Sequence, residues 1–216
     1  MKKSNDILVL TPTLGIIIFI VLYFIATFYY PGGSQVDHNS IGFSWINNYW
    51  CNLLNENAMN GQHNSAKPIA MSAMLVLCFS LSFFWILFPK HVKPGKIITL
   101  LIQISGSISM LVAFFLFTNV NHDLITDVAS FFGLIATIGT FVVLYKIKWN
   151  ELFLFGLINI LLVGLNNYVY FTHGLIIYLP VIQKITFASF LIWIFCIDLN
   201  LFKSMQKWRN IDKILG

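Results

Sequence analysis

Residues 7–30 read ILVLTPTLGIIIFIVLYFIATFYY, twenty-four residues without a charged side chain, stopped by Pro31-Gly32-Gly33. As an α-helix this stretch would be roughly 36 Å long, enough to cross the ~30 Å hydrocarbon core of a bilayer. Five further apolar runs follow, so the spans are expected at about 7–30, 68–88, 97–117, 124–145, 152–171 and 180–202. Pro89 is expected to end the second, Thr118-Asn119 the third, and Lys146 with Lys148 the fourth. No run shows the two-residue alternation of a membrane β-strand. The expected fold is therefore all-α, a single transmembrane domain of six helices over 1–216, with a long outer loop at 31–65.

Composition agrees with that reading. Of the 216 residues, 58% are hydrophobic and 10% charged, against about 25% charged in a typical soluble domain. A cytoplasmic globule, a disordered tail and a disulfide-rich secreted module are excluded on these grounds. Lys2 and Lys3 before an apolar run resemble a signal peptide, but the run exceeds the usual 7–15 residues and lacks Ala-x-Ala-like cleavage spacing. It reads as a retained first helix.

An even number of spans puts both ends on one side. That side holds Lys2, Lys3, Lys90, Lys93, Lys96, Lys146, Lys148, Lys203, Lys207, Arg209 and Lys213, leaving Lys67 and Lys184 opposite. By the positive-inside rule, both termini are expected in the cytoplasm, with the chain multi-pass in a bacterial cytoplasmic (inner) membrane. Topology thus accounts for the basic residues, and neither nucleic acid nor nucleotide is expected as a partner: no Walker loop, dinucleotide fingerprint or zinc-finger spacing is present.

The outer side carries the distinctive residues. Phe43, Ile46, Trp50, Leu53 and Leu54 recur at helical spacing within Ser40–Glu56, broadened by Trp45 and Tyr49. The pattern predicts a short interfacial or lid helix across the mouth of the bundle. A turn-rich stretch from Asn57 through Asn60, Gly61, Gln62, His63 and Asn64 to Ser65 then leads to the second helix. Small residues in the spans (Gly106 with Ser105, Ser107 and Ser109; Gly133 and Gly139; Gly156 and Gly164) predict tight helix contacts. Cys78 and Cys196 fall in spans and Cys51 in the loop, so neither a disulfide in the outer region nor thiol metal binding is expected.

Charged groups at membrane depth usually face a bundle interior or a cavity. Asp123 and Asp127 share one helix face at i,i+4, Asp123 suiting a helix N-terminus. A pair between Asp127 and Lys67 or Lys184 would satisfy both charges structurally. The functional alternative is an anionic headgroup held by Lys67 and Lys184, positioned by His122 and Asp127, with Trp45 and Asn48 at the rim. His122, His173, Asp123 and Asp127, with His63 as a further ligand, supply nitrogen and oxygen donors for zinc. No His-x-x-x-His spacing occurs, so such a site needs assembly across helices. Tyr168, Tyr170 and Thr172 precede His173, and Asn166-Asn167 lie on the same element. Glu56 is a candidate base or ion-pair partner. Asp198, near the cytoplasmic end of the last helix, is expected to pair with Lys203 or a basic loop. Acids at opposite ends, with no inverted three-helix repeat, match an ion-coupled transporter poorly.

Three functions remain in view. The first is a non-enzymatic protein that binds or handles a lipid or other amphiphile at an outer-face pocket and takes no cofactor. The second is a membrane-embedded hydrolase using His122, Asp127 and His173, with or without zinc. The third is a structural subunit whose exposed aromatics meet a membrane-protein partner or a second copy in a homo-oligomer.

Tyr30-Pro31-Gly32-Gly33, Gly42-Phe43-Ser44-Trp45, Asn47-Asn48-Tyr49-Trp50-Cys51-Asn52-Leu53, Asn60-Gly61 before Asn64 and Pro68, His122, and Leu179-Pro180-Val181-Ile182-Gln183-Lys184 together resemble a known pattern. It is that of a bacterial family of six-helix membrane proteins of the domain-of-unknown-function class, distantly like the eukaryotic DRAM and Sfk-type membrane proteins. The resemblance spans nearly the whole chain and implies that the outer face bears the distinctive residues, with no catalytic assignment to transfer. A second likeness, to the membrane zinc hydrolases that include alkaline ceramidases, departs from their pattern. Those have seven helices and a final His-x-x-x-His helix, whereas the last span here has no histidine.

Overall fold

The computed structural model describes residues 8–115 and 122–215, and for His122, Asp123 and 208–215 the backbone alone. Helix α1 (Thr11–Phe28) follows a 3-10 turn at Leu8–Leu10. The remaining helices are α2 (Lys67–Val92), α3 (Lys96–Phe114), α4 (His122–Lys146), α5 (Asn150–Phe171) and α6 (Leu179–Leu215). Among the described residues there is no strand, and six helices are long and apolar enough to cross a membrane. Large apolar side chains such as Leu111, Phe131 and Leu161 stand exposed on α3, α4 and α5. This is an all-α, multi-pass membrane protein.

Two helices run a turn or more past their expected ends. Helix α2 runs one turn past Pro89 to Val92. A proline near the end of a helix forfeits only one backbone bond, and the stop comes instead at Lys93, whose φ is +55°, a left-handed conformation that ends helices. Helix α4 ends at Lys146, as expected, and Lys148 with φ +63° follows it. Helix α6 extends beyond residue 202 to Leu215, because Lys203–Leu215 contains no Gly or Pro to interrupt it.

The chain forms two compact units. Of the described residues, the first takes in 8–17, 76–115, 122–154 and 193–215, and the second 18–75 and 155–192. In the first, contacts are built on small residues, as expected where lipid removes any hydrophobic drive between helices. Gly106 meets the buried Trp85 so closely that an added Cβ would lie 2.2 Å from the indole Cγ. On the α3–α4 seam, Gly139 faces Ile102 and Ser109 Oγ donates to the Ala129 carbonyl at 2.7 Å. Gly164, by contrast, faces open space. The Gln103 amide donates to the Ile86 carbonyl at 2.9 Å.

Asp198 has a different partner from the one expected. Its buried carboxylate accepts from the Thr13 hydroxyl at 2.6 Å and the Thr13 backbone N–H at 3.2 Å. Thr13 is the third residue of α1, where a helix leaves an unpaired N–H. The last helix therefore caps the first, and the acid lies where the positive end of α1 favours it.

In the second unit, residues 40–49 are irregular, with a turn at 45–47, rather than the expected lid helix, and the helical part of Ser40–Glu56 is the 3-10 segment Trp50–Leu54. Polar side chains explain this, because they offer the backbone partners that compete with helix. Asn48 Oδ1 accepts from the Ser44 N–H at 2.8 Å, Ser44 Oγ from the Asn47 N–H at 3.1 Å, and Asn52 Oδ1 from the Tyr49 N–H at 2.7 Å. The loop is short of regular structure but well tied.

Candidate functional site

The second unit contains a groove of about 290 Å³ lined by Trp45, Trp50, Val181, Lys184, Ile185 and Ala188. Val181, Lys184, Ile185 and Ala188 fall at i, i+3, i+4 and i+7 on α6 and so share one helix face. The two tryptophans come from the 31–65 loop. Trp50 is wedged between Tyr23 of α1 and Phe187 of α6, with ring centroids 5.4 and 5.3 Å away. Its carbonyl accepts from the Tyr23 hydroxyl at 3.0 Å, while its buried indole N–H has no hydrogen-bond partner among the described residues. Trp45, more exposed, packs on Phe24 at 5.9 Å and Phe43 at 5.5 Å.

Lys184 supplies the one charge in this lining. Its ammonium donates to the Asn48 carbonyl and lies 5.9 Å from the centre of the Phe43 ring, within range of a cation–π attraction. Among the described residues no carboxylate pairs with it. The result is an apolar trough with one cation at its wall, held by a carbonyl dipole and a ring face.

The loop side of the site is set by buried amides. Asn48 is fully buried, and its Nδ2 donates to the Gly33 carbonyl at 2.8 Å. Asn64, also fully buried, donates to the Asn55 carbonyl at 2.8 Å and to those of Asn52 and Leu53, while its Oδ1 accepts from the Ala66 N–H. Met59 N–H donates to the Tyr30 hydroxyl at 2.9 Å. Cys51 lies beside this cluster, and burial pushes its thiol up from the ordinary range, opposed by its own backbone N–H and by the Lys184 charge.

The six residues expected at a ligand divide accordingly. Lys184 and Trp45 line the groove. Asn48 touches Lys184 through its backbone carbonyl, but its side chain is spent on Ser44 and Gly33. Lys67 forms an ion pair with Glu56, a candidate ion-pair partner from the sequence, rather than with Asp127, and holds its carboxyl below the usual range. Asp127 is exposed on α4 and belongs to the first unit. The side chains of His122 and Asp123, and residues 116–121 with the stop expected at Thr118-Asn119, lie outside the described residues.

The hydrolase constellation gains no support from the described geometry. His173 is exposed at the start of the 3-10 segment His173–Tyr178, and His63 is exposed in the loop. Among the described residues no three His, Cys, Asp or Glu side chains group closely enough to hold a metal. Asn166 Nδ2 donates to the Thr186 hydroxyl and the Leu162 carbonyl, tying α5 to α6, and Asn167 donates to the Val163 carbonyl.

Sequence reasoning passed over Val181, Ile185 and Ala188 as lining residues and placed Trp50 in the expected lid helix. The signal available was the apolar ladder 181, 185, 188 flanking a lone lysine, which marks a helix face with one polar point. Comparison of the chain with protein-family models, curated proteins and solved structures finds no match.

Proposed function

We propose that this protein binds a lipid or other amphiphile with an anionic head, without catalysing a reaction. The apolar body would lie along Trp45, Trp50, Val181, Ile185 and Ala188, and the head would meet the Lys184 ammonium. The observation that carries this reading is a cation in an apolar groove with no carboxylate partner among the described residues. A charge so placed is costly unless something compensates it, and an anionic head does so directly. A mostly apolar trough with one polar point also matches the composition of small-molecule sites.

The orientation belongs to the same proposal. The cationic residues, eleven against two, support both termini in the cytoplasm. Together with the likeness to a bacterial family, this supports residence in the cytoplasmic (inner) membrane, with the groove toward the outer leaflet and membrane lipids as its source of ligand.

The test uses the full chain in mild detergent, titrated with a brominated fatty acid while tryptophan fluorescence is followed. Quenching should saturate, and most of it should be lost in a Trp45→Phe, Trp50→Phe double variant. Lys184→Gln should weaken binding roughly 10- to 100-fold, the loss of one charge-assisted hydrogen bond, and Lys184→Arg should restore part of it. Unchanged affinity in Lys184→Gln would refute the reading.

A further inference from the structure

Four large apolar side chains of the 31–65 loop are turned outward: Val36 (57% exposed), Ile41 (98%), Trp45 (45%) and Ile46 (67%). In a loop surrounded by water this is an unusual concentration. Hydrogen bonding shows where they lie along the chain's path out of α1. A backbone bridge pairs Gly32 with Ile41, the Gly33 N–H donates to the Ser40 carbonyl at 2.7 Å, and the Gly42 N–H to the Pro31 carbonyl at 3.3 Å. Ile41 is thus pinned beside the residues that leave α1 just after Phe28. The Gln35 N–H bonds the Asn47 carbonyl at 3.4 Å, bringing the neighbours of Val36 and Ile46 together.

Trp45 links this surface to the membrane-spanning one. Its ring lies 5.9 Å from that of Phe24, which lies 5.2 Å from Phe28. Phe24 and Phe28 are exposed apolar residues in the final turns of an apolar helix long enough to span. The aromatic row therefore runs without a break from the lipid-facing flank of α1 onto the loop, and tryptophan at such a height is characteristic of the membrane–water boundary.

Charge narrows the partner. Residues 31–65 contain no Lys or Arg, and their only acids are Asp37 and Glu56. Asp37 accepts the Asn39 N–H at 2.9 Å, and Glu56 is paired with Lys67. Apart from His38 and His63, the loop has no group able to carry positive charge toward anionic headgroups or an acidic protein, which favours apolar attachment. We propose that Val36, Ile41, Trp45 and Ile46 insert into the headgroup–acyl boundary of the lipid leaflet, anchoring the loop in the bilayer surface by apolar contact alone. Trp45 also walls the groove, but Val36, Ile41 and Ile46 do not, and on those three the insertion stands whatever the groove holds.

The experiment places a single environment-sensitive fluorophore at Ile41→Cys, and separately at Ile46→Cys, in the full chain with its three free cysteines replaced by alanine. The protein is reconstituted in phosphatidylcholine vesicles. Insertion predicts blue-shifted emission, loss of most of it to lipids bearing a doxyl quencher near the headgroup, and little loss to aqueous iodide. Efficient quenching by iodide with none by doxyl lipid overturns the proposal. Protection from both, with cross-linking between chains at position 41, overturns it in favour of a second copy covering this surface. Elution of the labelled variants at the position of the parent chain controls for misfolding. Titrating the unlabelled chain with brominated fatty acid separates failure here from failure of groove binding.

Discussion

Asn48→Ala removes the side chain on which the groove-forming loop is hung. Two hydrogen bonds disappear, from the Ser44 N–H to Oδ1 and from Nδ2 to the Gly33 carbonyl, both 2.8 Å long. Gly33 is buried, so its carbonyl loses its amide partner where water does not reach easily, whereas Ser44 is half-buried and recovers part of its loss. An orphaned buried group costs about 1–3 kcal/mol, which puts the sum for this variant at about 2–4 kcal/mol. The cost falls on local opening of the loop, since no helix backbone bond is touched. Converted at about 1.4 kcal/mol per decade, amides of residues 33–48 should exchange hydrogen roughly 30- to 700-fold faster. Hydrogen-exchange mass spectrometry on the intact chain in detergent reads this directly, with peptides from α2 and α3 expected to stay unchanged. Asn47→Ala is the control: its side chain makes no hydrogen bond among the described residues, so its loop should exchange as in the parent. Equal exchange in the two variants would refute the reasoning, because the Asn48 amide would then not be what orders the loop.

Substitutions at two further positions test the first unit, with one in the second as control. Asp198→Ala strips the Thr13 N–H and hydroxyl of their shared acceptor and should cost about 2–4 kcal/mol, while Asp198→Asn keeps an oxygen in place and should cost about 1 kcal/mol or less; the midpoint of unfolding by sodium dodecyl sulfate distinguishes them. Gly106→Ala drives a methyl into the buried Trp85 and should cost about 1–3 kcal/mol by the same assay. Gly164→Ala, which meets nothing within 4 Å, should show no loss.

The spans were legible because each is a long, uncharged apolar run, a property of local composition. Their ends were less so. Pro89 reads as a stop but lies in the last turn of α2, where Lys93 in a left-handed conformation makes the true break. The lid helix was misread for a physical reason: Phe43, Ile46, Trp50 and Leu53 do carry helical spacing, but Ser44, Asn48 and Asn52 bind nearby backbone N–H groups and win locally. The site was half legible. Lys184 and Trp45 stood out as a lone cation and an aromatic in a polar loop. That Asn48 would be consumed by Gly33, Lys67 by Glu56, and Asp198 by Thr13 depends on contacts between distant segments, which no spacing rule encodes.

The two long-range ties to α6 also order events in time. Asp198 reaches back 185 residues to Thr13, and Lys184 back 136 residues to Asn48. At about 5–20 residues per second of synthesis, the start of α1 waits roughly 10–40 s after emerging before its cap exists. Until α6 is made, the first helix has an unpaired end and the loop lacks one of its fastenings. Completion of the last helix therefore serves as the closing step of assembly, and nascent chains arrested before residue 184 should expose both defects to whatever quality control surveys the membrane.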